Sequence, residues 1–235
     1  MKSMVFDSSS IISLATNNLL WVLEPLKERF KGKFCIGSSV KQEIIDVPIN
    51  GKRFRLEAVM ILDLLRDGVL ELVEDVKINE TADKLMSLSG SIFETKGEYI
   101  QVIHKGEVQS LALVKYLSSN AYVVDERTTR LLVENPKKLT SILLNKLHSR
   151  INVNKNNLDE FRKEAGNVDI IRSIELMVYA YDTGLLDEYV KGKVDVGFKV
   201  DLKRTLLEGL LWGLKLRGCS ISTEEIDEIL KMKKY

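Results

Sequence analysis

Met4-Val5-Phe6-Asp7-Ser8-Ser9-Ser10-Ile11-Ile12-Ser13-Leu14 is the stretch on which the reading of the fold turns. Met4, Val5 and Phe6 form a short apolar run, which predicts a buried strand ending at Asp7. Ser8, Ser9 and Ser10 then supply N-cap groups for a helix carrying Ile11, Ile12, Leu14 and Ala15. A buried strand that stops at an acid and turns straight into a helix is the opening unit of a parallel α/β sheet.

The same grammar recurs downstream. A second helix is expected near Leu19 to Phe30, a turn at Lys31-Gly32-Lys33, and a strand at Phe34-Cys35-Ile36. Ser39 and Gln42 have capping-box spacing at the start of a helix that carries Glu43 in its first turn. A longer helix is expected from about Arg55 to Asp67, with Leu56, Val59, Met60 and Leu64 as its apolar face. Val69–Val73 alternates like a strand. Short helices are expected near Ala82–Leu88 and leading up to His104. Gly106 permits a sharp entry to a helix over Glu107–Leu117, followed by a strand at Ala121–Val124, Asp125, and a helix over Thr128–Val133. Alternating strands and helices predict a parallel sheet flanked by helices, whose ligands bind outside the carboxyl ends of the strands. Asp7 and Asp125 both end strands, so the sequence predicts that they meet in one crevice. Without a cation, that would raise the pKa of one of them.

Composition bounds the rest. The chain has 235 residues and 45% apolar content, enough for a large α/β domain plus a smaller helical one. Lys+Arg number 35 against 34 Asp+Glu, so any nucleic-acid surface must be a local patch. Lys137, Lys138, Lys146 and Arg150 are one such cluster, with ordinary solvated charge as the alternative. Cys35 and Cys219 form neither a zinc spacing nor a disulfide framework and are expected to be reduced thiols of a cytoplasmic protein. The start of the chain lacks the apolar run of a signal peptide, and no stretch approaches the roughly 20 apolar residues of a membrane span. His104 and His148 are isolated, which argues against zinc hydrolase chemistry.

After about residue 150 the strand signal fades. The polar run Asn152–Asn157 is taken as the boundary between an α/β domain, residues 1–150, and a helical domain, residues 151–235. Helices are expected at Asp169–Thr183, closed by Gly184, and at Asp201–Leu216, closed by Gly218. Ser222-Thr223-Glu224-Glu225 reads as a capping box opening a last helix with Ile226, Ile229 and Leu230 on one face. The helix around Leu206, Leu207, Leu210, Leu211 and Leu214 must be buried, against the first domain or at an oligomer interface. A homodimer is one of the two arrangements this allows.

Four acids stand at separated points of the chain: Asp7, Glu43, Glu107 and Asp125. Hard divalent cations take oxygen ligands from such sets, and magnesium keeps positions for water and phosphate. Each acid also has a structural reading. Asp7 suits a helix N-cap, Glu43 a solvated helix face, and Glu107 the positive end of a helix. Asp46 competes with Glu43, and Glu126 reads as a further ligand or a cap. Ser8 and Ser9 could hydrogen-bond a phosphate or only cap the helix. Lys105, Arg127 and Arg130 could bind phosphate or only offset nearby negative charge.

Taken in order, these pieces resemble the PIN-domain family of metal-dependent nucleases. Val5-Phe6-Asp7-Ser8-Ser9-Ser10 is similar to its opening strand and acidic motif, and Ile36-Gly37-Ser38-Ser39-Val40-Lys41-Gln42-Glu43 to its second motif. Gly106-Glu107-Val108-Gln109 is similar to the third, and Val123-Val124-Asp125-Glu126-Arg127-Thr128-Thr129-Arg130 to the fourth. The likeness covers roughly residues 3–135 and is that of an archaeal-type member with a helical C-terminal extension. The resemblance implies a PIN-like sheet and a Mg²⁺- or Mn²⁺-dependent ribonuclease acting on single-stranded or flexible RNA. It assigns Asp7, Glu43, Glu107 and Asp125 as metal ligands, with Glu126 where the family often has a second Asp. Val123 and Val124 depart from the Ser or Thr the family more often carries there. A non-catalytic RNA-binding factor in ribosome assembly or RNA processing is the second reading. A toxin of a toxin–antitoxin pair is the third, against which the extra C-terminal length speaks.

Overall fold

The computed structural model describes residues 2–191 and 201–233. The first half runs β1 (Ser3–Phe6), α1 (Ser8–Thr16), a 3-10 turn (Leu20–Val22), α2 (Leu23–Phe30), β2 (Lys33–Ile36) and α3 (Ser38–Lys41). A π-helical turn (Gln42–Asp46) leads into α4 (Val47–Asn50), α5 (Arg55–Arg66), β3 (Glu71–Leu72), α6 (Val76–Ser89), β4 (Phe93–Thr95) and β5 (Glu98–Ile100). The second half runs α7 (Lys105–Leu117), β6 (Ala121–Val123), α8 (Arg127–Glu134), α9 (Pro136–Leu147), β7 (Asn152–Val153) and α10 (Lys155–Ala165). It continues with β8 (Asp169–Ile171), α11 (Ser173–Asp182), α12 (Leu202–Leu216) and α13 (Thr223–Met232).

The fold class is α/β, as the alternation predicts. The main sheet has the order β3-β2-β1-β6-β8 and is parallel throughout. Both its faces are covered, as parallel sheets require. Phe6, Phe34, Ile36 and Val123 pack on one face with α1, α11 and α12. Val5, Cys35, Tyr122 and Val124 pack on the other with α6, α7 and α10. The strand order reverses between β1 and β6, which makes that gap the crevice where ligands of such sheets bind.

Several expectations give way. The stretch before His104 is not a helix but a hairpin, β4–β5, that pairs Thr95 with Glu98. Its two turn residues, Lys96 and Gly97, both have positive φ, at 51° and 83°, as a type I′ turn demands. Asp169–Ile171 is a strand, not the first turn of a helix, and it pairs in parallel with β6. Asn152–Val153 pairs with β4, and α10 packs on α6. Strands β7 and β8 therefore belong to the sheets, and the chain passes residue 150 without leaving the α/β body. The polar Asn-rich run is used for capping instead: Asn154 Oδ1 accepts from Asn157 N at 3.2 Å. Helix α5 buries Ala58 and Ile61, while Leu56 and Val59 face solvent.

The C-terminal helices dock on the sheet. Leu207, Leu210, Leu211 and Leu214 are buried in the same core as Phe6 and Ile11, each contributing about 2 kcal/mol of burial. Close approach is helped by Gly213, where a Cβ would lie 2.7 Å from Asn17 Oδ1. The apolar face that allowed a dimer is thus used within the chain. The expected capping box forms: Ser222 N donates to Glu225 Oε2 at 2.8 Å and Glu225 N to Ser222 Oγ at 3.1 Å. No helix among the described residues is long and apolar enough to cross a membrane.

Candidate functional site: an acidic cluster at the sheet's switch point

Strand register decides which acids meet. Phe6 stands opposite Val123, so Asp7, one residue on, extends to the face shared by Val5 and Tyr122. Asp125 is two residues past Val123 and falls, by the period-2 alternation of strands, on Val123's side. The two aspartates therefore point to opposite faces. Asp7 enters the crevice, and Asp125 turns away from it.

Asp7 is buried and caps α1. Its Oδ2 accepts from Ser9 N at 3.0 Å and from Ser9 Oγ at 2.5 Å. Its Oδ1 accepts from the Tyr122 hydroxyl at 3.3 Å. Burial raises its pKa to about 6; the Ser9 hydrogen bonds oppose the shift, and Glu107 and Glu43 add to it. The expected elevation is present, but burial and these two glutamates cause it, not Asp125. Tyr122 closes the floor of the cluster. Burial first, then the charges of Asp7 and Glu107, hold its hydroxyl protonated.

Glu107 occupies the first turn of α7, and its Oε2 accepts from His104 N at 2.6 Å. Burial raises its pKa; the His104 hydrogen bond opposes this, and Glu126 adds to it. Glu126 caps α8, accepting from Thr129 N at 2.7 Å. Glu43 lies on the π-helical turn, exposed, with its Oε2 against the start of α7: a Cβ added at Gly106 would sit 3.5 Å from it. The π-turn has a local cause. Pro48 has no N–H to offer the Ile44 carbonyl and its ring would crowd that group, so the helix widens before it. Asp46, the competitor of Glu43, is held by Lys41 at 2.6 Å.

Helix α3 does not use the predicted Ser39–Gln42 box. Gly37 is its N-cap, and Ser39 N donates to Gln109 Oε1 of α7 at 2.6 Å. Gln109 also donates to Asn79 Oδ1 of α6 at 3.0 Å. This one buried amide fixes the helix leading to Glu43 against the helix carrying Glu107. Sequence reasoning missed it because its partners lie 30 and 70 residues away.

Asp125 serves a different purpose. Its Oδ1 accepts from Ser173 N at 2.7 Å and its Oδ2 from Ser173 Oγ at 2.6 Å, so both oxygens cap α11. Its carbonyl accepts from Ser220 N at 3.2 Å. Beside it, Arg172 donates to Ser220 O and Glu225 Oε1, each at 3.0 Å, and to Glu175. Burial opposes the charge of Arg172, but Glu175 and Glu225 together raise its pKa. Burial and then Asp125 push the Cys219 thiol up to about 12. Cys35, buried above the opposite face, rises to about 11.

Of the other predicted groups, Ser9 bridges the two regions, giving its hydroxyl to Asp7 and accepting from Asp125 N at 3.1 Å. Ser8 is buried at the start of α1, and Lys105 is exposed beside Glu107. Arg130 interacts with Glu225 rather than with the acidic cluster, and its Nε is buried without a hydrogen-bond partner. Lys137 lines a groove of about 580 Å³ with Lys155 and Arg162.

The structure thus couples Asp7 to Glu107 and Glu43, and Glu107 to Glu126, through their charges, and commits the Asp125 carboxylate to Ser173. Among the described residues, no three acidic, histidine or cysteine side chains are placed closely enough to enclose a metal ion. The coupling in the cluster is electrostatic, with Asp7 Oδ1 and one oxygen each of Glu107 and Glu126 not used for capping. No family model, no curated protein and no solved structure matches this chain.

Proposed function

We propose that the protein is a Mg²⁺- or Mn²⁺-dependent ribonuclease that hydrolyses phosphodiester bonds of single-stranded or flexible RNA. One observation carries the reading. Asp7, at the switch point of a parallel sheet, is buried with Glu107 and Glu43 acting on its charge, and its pKa is raised to about 6, by burial first. A buried carboxylate with like charges near it is stabilised by a cation.

The donor set fits a hard divalent ion. Such an ion needs only one or two carboxylates directly, with waters and phosphate completing its shell. Asp7 and Glu107 would hold it, and Glu43 and Glu126 would act on it through its bound waters. When bound, the ion supplies charge neutralisation and an activated water for in-line displacement at phosphorus. The protein's own groups orient the site. Ser9 and Tyr122 fix the plane of Asp7, and His104 N fixes Glu107. Lys105 stands on the rim, where a phosphate would approach.

A second reading has its own support. Asp7, Glu107 and Glu126 each cap a helix and so have structural work without a cation, as in a non-catalytic RNA-binding factor. Cleavage of an end-labelled, mixed-sequence single-stranded RNA separates the two. The nuclease reading expects cutting with Mn²⁺, none with EDTA, and loss in Asp7→Asn and Glu107→Gln. RNA binding with no cutting under any divalent metal would establish the second reading instead.

A further inference from the structure

Between the helix that bears Glu43 and α5 the chain makes a tight turn, Gly51-Lys52-Arg53-Phe54-Arg55. Lys52, Arg53 and Arg55 are exposed. The neighbouring ion pairs join Lys41 to Asp46 and Arg66 to Asp63 and Asp67, which leaves these three cations outside any ion pair of the described residues. Three unpaired cations in four residues stand out in a chain of net charge +1. Phe54 lies among them, half-exposed, with the Arg53 guanidinium over its ring at 4.7 Å. Its backbone is left-handed, with φ 61° and ψ 19°, a conformation rare for a bulky residue. The ring lines the same small cleft as Glu43, with Ile12, Thr16, Glu57 and Ile61. The turn therefore shares a cleft with Glu43, the outermost acid of the candidate site.

We infer that this turn is a single-strand nucleic-acid clamp: an unpaired base displaces the Arg53 guanidinium from the Phe54 ring and stacks there, and Lys52, Arg53 and Arg55 take the flanking phosphates. An acidic cluster repels a polyanion, so a phosphodiester needs attraction supplied close by. Stacking on an aromatic ring among cations is how single strands are held without reading sequence. A duplex, with its bases paired and stacked, offers no free face to the ring. Exposed Leu56 and Val59 continue along α5, which makes a protein partner the competing occupant. The charge of the turn favours the polyanion.

The inference rests on RNA as the substrate class of the proposed function, but not on cleavage. The test is fluorescence anisotropy of a labelled single-stranded RNA, and of the same sequence as duplex, with full-length protein in EDTA. The single strand should bind more tightly. Phe54→Leu, which keeps apolar bulk without a stacking face, should weaken binding by roughly 5- to 100-fold. Phe54→Trp should retain binding, with indole emission quenched by the stacked base. Lys52→Ala and Arg55→Ala should each lower the slope of log affinity against log salt by about 0.7. Absence of single-strand binding by the parent, or equal binding by the Leu variant, would overturn the clamp. So would RNA affinity indifferent to all turn variants alongside self-association lost in Leu56→Glu, which would assign the face to protein. Turn-dependent binding with no cutting in Mn²⁺ would keep the clamp and remove the nuclease. Cutting with turn-independent binding would do the reverse.

Discussion

Strands β1 and β6 lie side by side, and each runs into an aspartate at its carboxyl end, yet the two acids live in opposite circumstances. Asp125 has both oxygens filled by Ser173. Asp7 accepts from Ser9 and only distantly from Tyr122, and it feels Glu107 and Glu43. The first is a carboxylate whose interactions are complete within the fold. The second also accepts hydrogen bonds but stands among further negative charge. Burial alone does not separate the two acids, since both are buried. What separates them is whether the neighbours supply donors or further negative charge.

The contrast can be broken most forcefully at Asp125. Asp125→Ala strands two buried donors of Ser173 and uncaps α11. It should cost about 3–5 kcal/mol, measured by urea unfolding, with divalent metal making no difference. Asp7→Asn should do the opposite. An Asp with a folded pKa of about 6 against 3.8 unfolded is penalised once ionised, so stability is fullest below pH 3.8 and declines as pH rises through 6. Above pH 7 the penalty amounts to about 3 kcal/mol. The Asn variant should therefore be more stable than the parent by up to about that amount at pH 8 and about equal to it at pH 3.5, in denaturant titrations without metal. A parent more stable than Asp7→Asn at pH 8 in EDTA would show that the site is not electrostatically strained.

Metal sharpens the same comparison. Millimolar Mn²⁺ should raise the melting temperature of the parent by a few degrees through mass action, and should do so less in Asp7→Asn, while leaving the size of the Asp125→Ala loss unchanged. The smallest effect is expected at Glu126. Gln keeps the oxygen that accepts from Thr129 N, so Glu126→Gln should shift stability by less than about 1 kcal/mol. On the proposed function it should still reduce cleavage at least tenfold, whereas a purely capping role predicts no change in rate.

Much of this architecture was legible in the chain. The strand and helix of the run Met4–Leu14 and the Ser222–Glu225 box depend on neighbours within a few residues and appear as read, except that Asp7, not the serines, is the N-cap of α1. The hairpin was missed because its strands are three residues each and Lys96, unlike Asn or Asp, does not advertise a positive φ. β8 was missed because Asp169-Ile170-Ile171 is too short to show a period. The cap from Gln109 could not be seen because a single amide carries no pattern.

The sequence by itself determined that acids would sit at strand ends and helix starts, since local propensity and burial operate on adjacent residues. It could not determine which acids share a face. Side chains alternate along a strand, so a shift of one residue in pairing exchanges the crevice for the opposite face. Only the pairing of Phe6 with Val123 decided that Asp7 joins Glu107 and Glu43 while Asp125 turns to Ser173.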